Sequence, residues 1–347
     1  MKKYYISQLT EGQQVDDLFL VSRKRLMETR NGKPYLALTL MDSSGEVEAR
    51  VWENAAALEA LAEVGRVVRV QAQAKCYREQ LQLGVSGLEP VPAEAVQLEQ
   101  FMPASARPVD EMEQELTEHI ARLTDASLKQ LLQTLFQGKV LQAFLRAPAA
   151  KRMHHAYIGG LAEHSLSLCS LAVRVTEQYP ALDQDLLLAA CLVHDLAKIV
   201  EFDYAVPPFE YTDQGRLLGH IVLGTEMVRT AAREVKALSA ERLDALCHII
   251  LSHHGKLEFG SPVLPMTPEA MIFHHLDDMD AKMNYLERLA AELPSPGPGW
   301  TEYQRPLERF LYLRRASEES PNTEPAESAP RPSSGQDKQL RRQQSLF

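Results

Sequence analysis

The chain has 347 residues, 45% of them hydrophobic and 24% charged, and 37 basic against 47 acidic residues give it a net charge of −10 at pH 7. That length carries about two domains with cores of their own and excludes a small disulfide-stapled scaffold. The acidic balance excludes a protein that coats itself in nucleic acid through general electropositivity. The longest apolar run, Leu186 to Val193, is far short of the roughly 20 residues a membrane span needs, so no membrane partner is expected. The opening MKKYYISQLTEGQQ lacks an apolar run and a small-residue cleavage site, which reads as no secretory signal. Cys76, Cys169, Cys191 and Cys247 lie far apart with no CxxC pairing, the pattern of free thiols in a reducing compartment, and a cytoplasmic location is expected.

Residues 15–92 alternate with the period of strands. Val47, Ala49 and Val51 share one face of EVEARVW, with Glu48, Arg50 and Trp52 on the other. Leu36, Leu38 and Leu40 repeat the rhythm, then Val68, Val70, Ala72 and Ala74, then Leu81, Leu83 and Val85, while Asn31-Gly32 and Ser44-Gly45 mark hairpin turns. A helical stretch from Glu53 to Glu63 separates the third strand from the fourth. Three strands, a helix and two strands is the order of a five-stranded OB barrel, expected here over residues 1–92.

Four prolines between Glu89 and Met112, with little periodicity, predict an extended linker over 93–112. Residues 113–292 run through successive 3.6-residue patterns with almost no strand signal, so seven or more helices are expected. LPSPGPG, Leu293 to Gly299, then breaks the chain before a last short helix expected around Trp300 to Arg315, which closes an all-α domain over 113–315. The tail, 316–347, is rich in Ser, Pro and Glu and has no aromatic residue until Phe347; it cannot bury enough surface to fold and is expected to be disordered.

The histidines gather in the all-α stretch, and several fall on inward helix faces. His194 follows Leu187, Ala190 and Cys191 at helical spacing, with Asp195 beside it. His164 joins the stripe of Leu161, Leu168, Leu171 and Val175; His220 joins that of Leu217, Ile221, Gly224 and Met227. His253 follows Leu246 and Ile250 with His254 adjacent, and Asp277 follows Ala270 and Phe273. A single inward histidine is ordinarily a hydrogen-bonded core residue. Buried imidazoles and carboxylates from five helices together are costly unless they are paired or hold a metal, and this mixed nitrogen and oxygen set suits one or two divalent ions, Mn²⁺, Fe²⁺, Zn²⁺, Co²⁺ or Mg²⁺; Mn²⁺ is the ion expected.

The ordered set resembles the HD phosphohydrolase superfamily, whose pattern H…HD…D is met by His164, His194, Asp195 and Asp277. The stretches FLRAPAAKRMHHAYIGGLAEH, LVHDLAKI, LLGHI, ILSHHGKLEFGSPVLP and HHLDDMDAK, behind an OB domain, resemble the YhaM-type 3′ to 5′ exoribonucleases over residues 1–315. Asp277 and not Asp278 fills the last position because it stands three residues before Asp280 in the DxxDAK register. The resemblance implies metal-dependent phosphoester hydrolysis. Asp195 would bridge one ion held with His164, His194 and Asp277 to another held by His220, His253 and His254. Lys198, three residues after Asp195, would reach a non-bridging phosphate oxygen, and His155 is the candidate acid for the leaving group.

Substrate contacts are expected from the aromatic run Phe202, Tyr204, Phe209 and Tyr211 around Pro207-Pro208, as a stacking surface for bases, and from Arg50, Trp52, Arg69, Lys75 and Tyr77 on the barrel, as a basic and aromatic platform. The expected activity is removal of nucleotides from the 3′ end of single-stranded nucleic acid, RNA before DNA. An HD phosphohydrolase on small nucleotides with a regulatory OB domain, or a non-catalytic nucleic-acid-binding adaptor, would share the same domains. The chain ends in QQSLF, which resembles the bacterial sliding-clamp-binding peptide: Leu346 and Phe347 would anchor in an apolar pocket while Gln343 makes orienting hydrogen bonds. A homo-oligomer is compatible with this sequence.

Overall fold

Alternation of apolar and polar residues closes the N-terminal chain on itself. In the computed structural model, which describes residues 2–316 apart from 30, 78–79, 93–95, 97, 152–154 and 206–208, β1 (Gln14–Glu28), β2 (Pro34–Asp42), β3 (Gly45–Val51), α1 (Ala55–Glu59), β4 (Val67–Tyr77) and β5 (Gln80–Pro90) follow the expected order. The strands form a closed barrel in the order β1-β2-β3-β5-β4. Closure depends on β1, whose first half pairs antiparallel with β4 and whose second half pairs with β2, with a register shift between Val21 and Arg23 that bends the strand from one partner to the other. Phe19, Leu36, Leu38, Leu40, Ala49, Val51, Val68, Val70 and Leu83 fill the interior.

From Leu98 on, the expected extended linker is packed instead. A 3-10 turn over Leu98–Phe101 buries Phe101 against Leu20, Met41 and Val67 of the barrel. Further on, Ser105 N donates to Ile158 O at 2.8 Å and Ile158 N to Pro103 O at 3.0 Å. Phe101 and Met102, both buried, are the apolar anchors that the proline count obscured.

Helices begin at Val109, inside the stretch expected as linker, because Pro108 cannot donate and suits the start of a helix. They are α2 (Val109–Arg122), α3 (Ala126–Leu135), α4 (Gly138–Arg146), α5 (Gly160–Gln178), α6 (Gln184–Val193) and α7 (Lys198–Glu201), followed by α8 (Asp213–Ala232), α9 (Ala240–Ser252) and α10 (Pro268–Ala291). Between α7 and α8 a two-stranded ribbon, β6 (Phe202–Asp203) with β7 (Glu210–Tyr211), was not expected. α6 is buried on all sides from Asp185 to Val193, so it forms the centre of the helical core, with Leu161 and Leu168 of α5, Leu246 and Ile250 of α9 and Phe273 of α10 buried in the same cluster. Asp125, Asp183, Thr212 and Ser239 cap α3, α6, α8 and α9 with side-chain oxygens.

Residues from Leu286 onward form a unit of their own. The last helix expected around Trp300 to Arg315 is an antiparallel ribbon, β8 (Gly297–Trp300) with β9 (Tyr312–Arg315). Trp300 and Tyr312 face each other with ring centres 5.1 Å apart, and Tyr303 meets Phe310 edge-on at 5.3 Å. These cross-strand aromatic pairs stabilise a ribbon in a segment whose Gly and Pro content disfavours a helix. Residues 317–347, and with them Gln343, Leu346 and Phe347 of the expected clamp-binding end, lie outside the described residues.

Candidate active site

Asp195 is the hub. It follows the end of α6, is 3% exposed, and its two oxygens face two different sets of histidines. Oδ2 lies 3.3 Å from His194 Nε2 and 2.5 Å from Lys198 Nζ. Oδ1 lies 3.3 Å from His220 Nε2 and 3.7 Å from His253 Nε2. On the first side, Asp277 Oδ1 from α10 sits 3.1 Å from His164 Nε2 and 3.9 Å from His194 Nε2. On the second side, His254 brings its ring 4.4 Å from that of His253 and 5.3 Å from that of His220. All seven side chains singled out as ligands thus converge from α5, the α6 end, α8, the α9 end and α10. Asp278, one residue on from Asp277, points away and pairs with Lys282.

The rings are held from behind. A carbonyl oxygen only accepts, so His194 Nδ1 donates to Cys191 O at 3.1 Å, His253 Nδ1 to Ile250 O at 2.7 Å and His254 Nδ1 to Phe259 O at 2.8 Å. His253 and His254, both held below the ordinary histidine value chiefly by burial, are left with the lone pair on Nε2, aimed inward. Among the described residues, His194 Nε2, Asp195 Oδ1, His220 Nε2 and His253 Nε2 are buried with no hydrogen-bond partner. Several orphaned acceptors at one point are costly, and a cation satisfies them together. The residues therefore fit divalent metal.

The charge states agree. Burial alone would push the Asp195 carboxyl up, but Lys198 and His194 hold it well below the usual carboxylate range. Burial, with His194 beside it, keeps His253 well below the ordinary histidine value and neutral. His164 goes the other way: burial would lower it, but hydrogen bonds to Asp277 and Asp280 carry it up to about 9.

Two of the predicted catalytic groups have other partners here. Lys198 is buried and paired with Asp195. His155, with φ of 45°, engages Tyr157 Oη through Nδ1 at 2.9 Å and Asp280 Oδ2 through Nε2 at 3.1 Å. It stands behind His164 and not in front of the ligands, so the geometry gives it a supporting task in place of the leaving-group acid. Asp280 and Glu201, two buried carboxylates behind His164 and His220, were missed. Asp280 carried a signal, standing three residues after Asp277 on the same face of α10; Glu201 carried none.

Models of known families match the two parts of the chain: an HD domain over residues 161–282 and an OB-fold nucleic acid binding domain over residues 20–91. The 3′-5′ exoribonuclease YhaM of Bacillus subtilis strain 168 is 37% identical over 304 residues, which cover 87% of this chain and 95% of that protein. The protein of the same name from Geobacillus sp. strain WCH70 is 36% identical over 287 residues, 82% of this chain and 87% of that one. The chain belongs to the YhaM 3′-5′ exoribonuclease family. Its HD domain is the metal-dependent hydrolase part, and its OB-fold domain is of the kind that binds nucleic acid. No described helix is long and apolar enough to cross a membrane.

On the barrel of this family member, the predicted platform divides. Arg50 lines a groove with Arg23, Lys24 and Arg25 of β1, Thr39 of β2 and Glu48, with which it pairs. Next to it Trp52, 57% exposed, stacks on Tyr35 with ring centres 4.8 Å apart. Lys75 and Tyr77 are exposed near the end of β4, while Arg69, six residues earlier, is occupied by Asp16 through two hydrogen bonds of 2.7 and 2.8 Å. Arg23, Arg25 and Tyr35 were not foreseen, because the register between β1, β2 and β3 is not readable from each strand alone. The aromatic run between α7 and α8 also divides: Phe202 and Phe209 are buried, and Tyr204 is half-buried with its hydroxyl on Ala143 O at 3.4 Å. These three pin the ribbon to the helices. Only Tyr211 keeps an exposed ring, flanked by Lys151 and Arg216, and Pro207-Pro208 lies outside the described residues.

Proposed function

We propose that the protein hydrolyses single-stranded RNA from its 3′ end, one nucleotide at a time, with divalent ions held on either side of Asp195. The observation that carries this reading is the facing of Asp195 Oδ1 and Oδ2 toward two separate histidine sets, one completed by Asp277. One ion would rest on His164, His194, Asp195 and Asp277, and a second on Asp195, His220, His253 and His254, with Mn²⁺ the first ion to test because the mixed nitrogen and oxygen donors accept several divalent metals. Bound there, divalent ions supply an activated water and neutralise phosphate oxygens. Lys198, whose ammonium lies beside Asp195, would hold a non-bridging phosphate oxygen. The Nδ1 hydrogen bonds keep the rings fixed while substrate exchanges.

The strand reaches this centre from the barrel groove of Arg23, Arg25 and Arg50, with the Tyr35 and Trp52 stack as its aromatic element. The names of the relatives support RNA as the substrate and 3′ to 5′ as the direction. The free thiols Cys169, Cys191 and Cys247 support a reducing, cytoplasmic setting. The C-terminal QQSLF, through Gln343, Leu346 and Phe347, is in this reading a docking peptide for a DNA sliding clamp. The test uses matched RNA and DNA oligonucleotides, blocked at either end, with each divalent ion supplied in turn. Shortening of 3′-free RNA alone is expected; release of a small nucleotide's phosphate with intact oligonucleotides would overturn the reading. A fluorescent peptide of residues 336–347 that fails to bind purified clamp saturably would remove the docking role.

A further inference from the structure

Where His194, His253 and His254 rest on backbone carbonyls, His220 rests on a carboxylate. Its Nδ1 lies 3.0 and 3.1 Å from the two oxygens of Glu201, and its backbone N–H donates to Glu201 Oε1 at 2.9 Å. That N–H is available only because α8 is interrupted. In an unbroken helix it would donate to the carbonyl four residues back, at Arg216, but Gly219 takes φ of 72° and ψ of 156° and turns His220 N toward α7. The close approach has a second requirement at Gly215, where a Cβ would lie 2.2 Å from Glu201 O. Glu201 itself is 5% exposed, and its backbone carbonyl accepts from Thr212 N at 3.0 Å. Its carboxylate is thus fixed in place, buried, and has His220 as its partner.

We propose that Glu201 is the positioning residue of the second ion site, orienting His220 through a two-point grip that the Gly219 kink makes possible. This rests on the reading of His220, His253 and His254 as holders of a second ion. A carboxylate only accepts, so Nδ1 of His220 carries the proton and Nε2, 3.3 Å from Asp195 Oδ1, presents its lone pair. The negative charge behind the ring also makes Nε2 a stronger donor to a cation than a carbonyl does behind His253 and His254. The backbone half of the grip fixes the Cα and the side-chain half fixes the ring plane, so neither rotation nor tautomer exchange is free.

Mn²⁺ titrated calorimetrically into the chelator-stripped full-length protein separates the effect from simple destabilisation. The wild type should show two classes of site, and His220→Ala should lose one of them. Glu201→Gln should weaken that same class by about tenfold or more and leave the other unchanged. Gly219→Ala, which keeps Glu201 and meets no atom closer than Glu201 Oε1 at 4.0 Å, should weaken the same class through backbone strain, and it decides the matter if Glu201→Gln does not fold. The double variant should be little weaker than Glu201→Gln alone, since both act through His220. If His220→Ala removes one class while Glu201→Gln and Gly219→Ala leave both intact, the role of Glu201 is overturned. If both variants weaken the two classes alike, Glu201 is a structural residue only. A single class in the wild type, unchanged by His220→Ala, would overturn the two-ion reading and this role with it.

Discussion

Asp280 Oδ2 lies 2.7 Å from His164 Nδ1, on the side of the ring opposite Asp277. The same carboxylate takes His155 Nε2 at 3.1 Å and accepts from Ser167 Oγ, so one buried group organises a ligand and the two side chains behind it. A carboxylate behind a metal-binding histidine sets its tautomer and strengthens it as a donor. Asp280→Asn is expected to weaken the site containing Asp277 by about tenfold or more. Metal titration of the variant checks this, and an unchanged affinity would reduce Asp280 to a packing group.

Arg242 near the start of α9 joins the caps of two other helices. Its Nε donates to Asp125 Oδ2 at 2.9 Å and its two terminal nitrogens to Asp183. The three side chains are between 23% and 36% exposed, so Arg242→Ala should cost about 1–2 kcal/mol at neutral pH after screening. Burial would raise both carboxyls, but hydrogen bonds from Ser127 and Arg242 hold Asp125 below its usual value of 3.8, and Arg242 does the same for Asp183. Their contribution is therefore full above that value and is lost as pH falls through the lowered folded values. Urea unfolding of wild type and Arg242→Ala should show a stability gap that is constant from pH 7 to 5 and narrows below about pH 4.

Trp52, exposed and stacked on Tyr35 beside the Arg50 groove, is placed to carry one base. Trp52→Ala should weaken binding of a long single strand by about 1–3 kcal/mol, a factor of roughly 5 to 150 in Kd, and leave hydrolysis of a dinucleotide unaffected. Fluorescence anisotropy with labelled RNA measures the first and product chromatography the second.

How far the sequence reveals this molecule depends on the range of the interaction involved. The barrel strands and the inward faces carrying His164, His194, His253 and Asp277 are periodic over one element each, and the three histidines are buried as the spacing predicts, with Asp277 half-buried. His220 is an instructive case. The stripe drawn through Leu217 is not a stripe, since Leu217 is 81% exposed; the kink at Gly219 breaks the register, and the ring turns inward through its bond to Glu201, nineteen residues earlier. Glu201 and Asp280 act across helix pairs, which no local pattern encodes. The ribbons β6/β7 and β8/β9 escaped because strands of two to four residues are too short to show alternation.

The central claim is tested most directly by chelator-stripped protein acting on RNA labelled at its 5′ end, with Mn²⁺ withheld and restored, beside Asp195→Asn under the same conditions. Asp195 faces both histidine sets, so the account predicts stepwise shortening from the 3′ end only when the ion is present, loss of at least about a thousandfold in rate for Asp195→Asn, and RNA binding retained by the variant through its barrel. Equal turnover without metal, or a metal-loaded Asp195→Asn protein as active as the wild type, would contradict it.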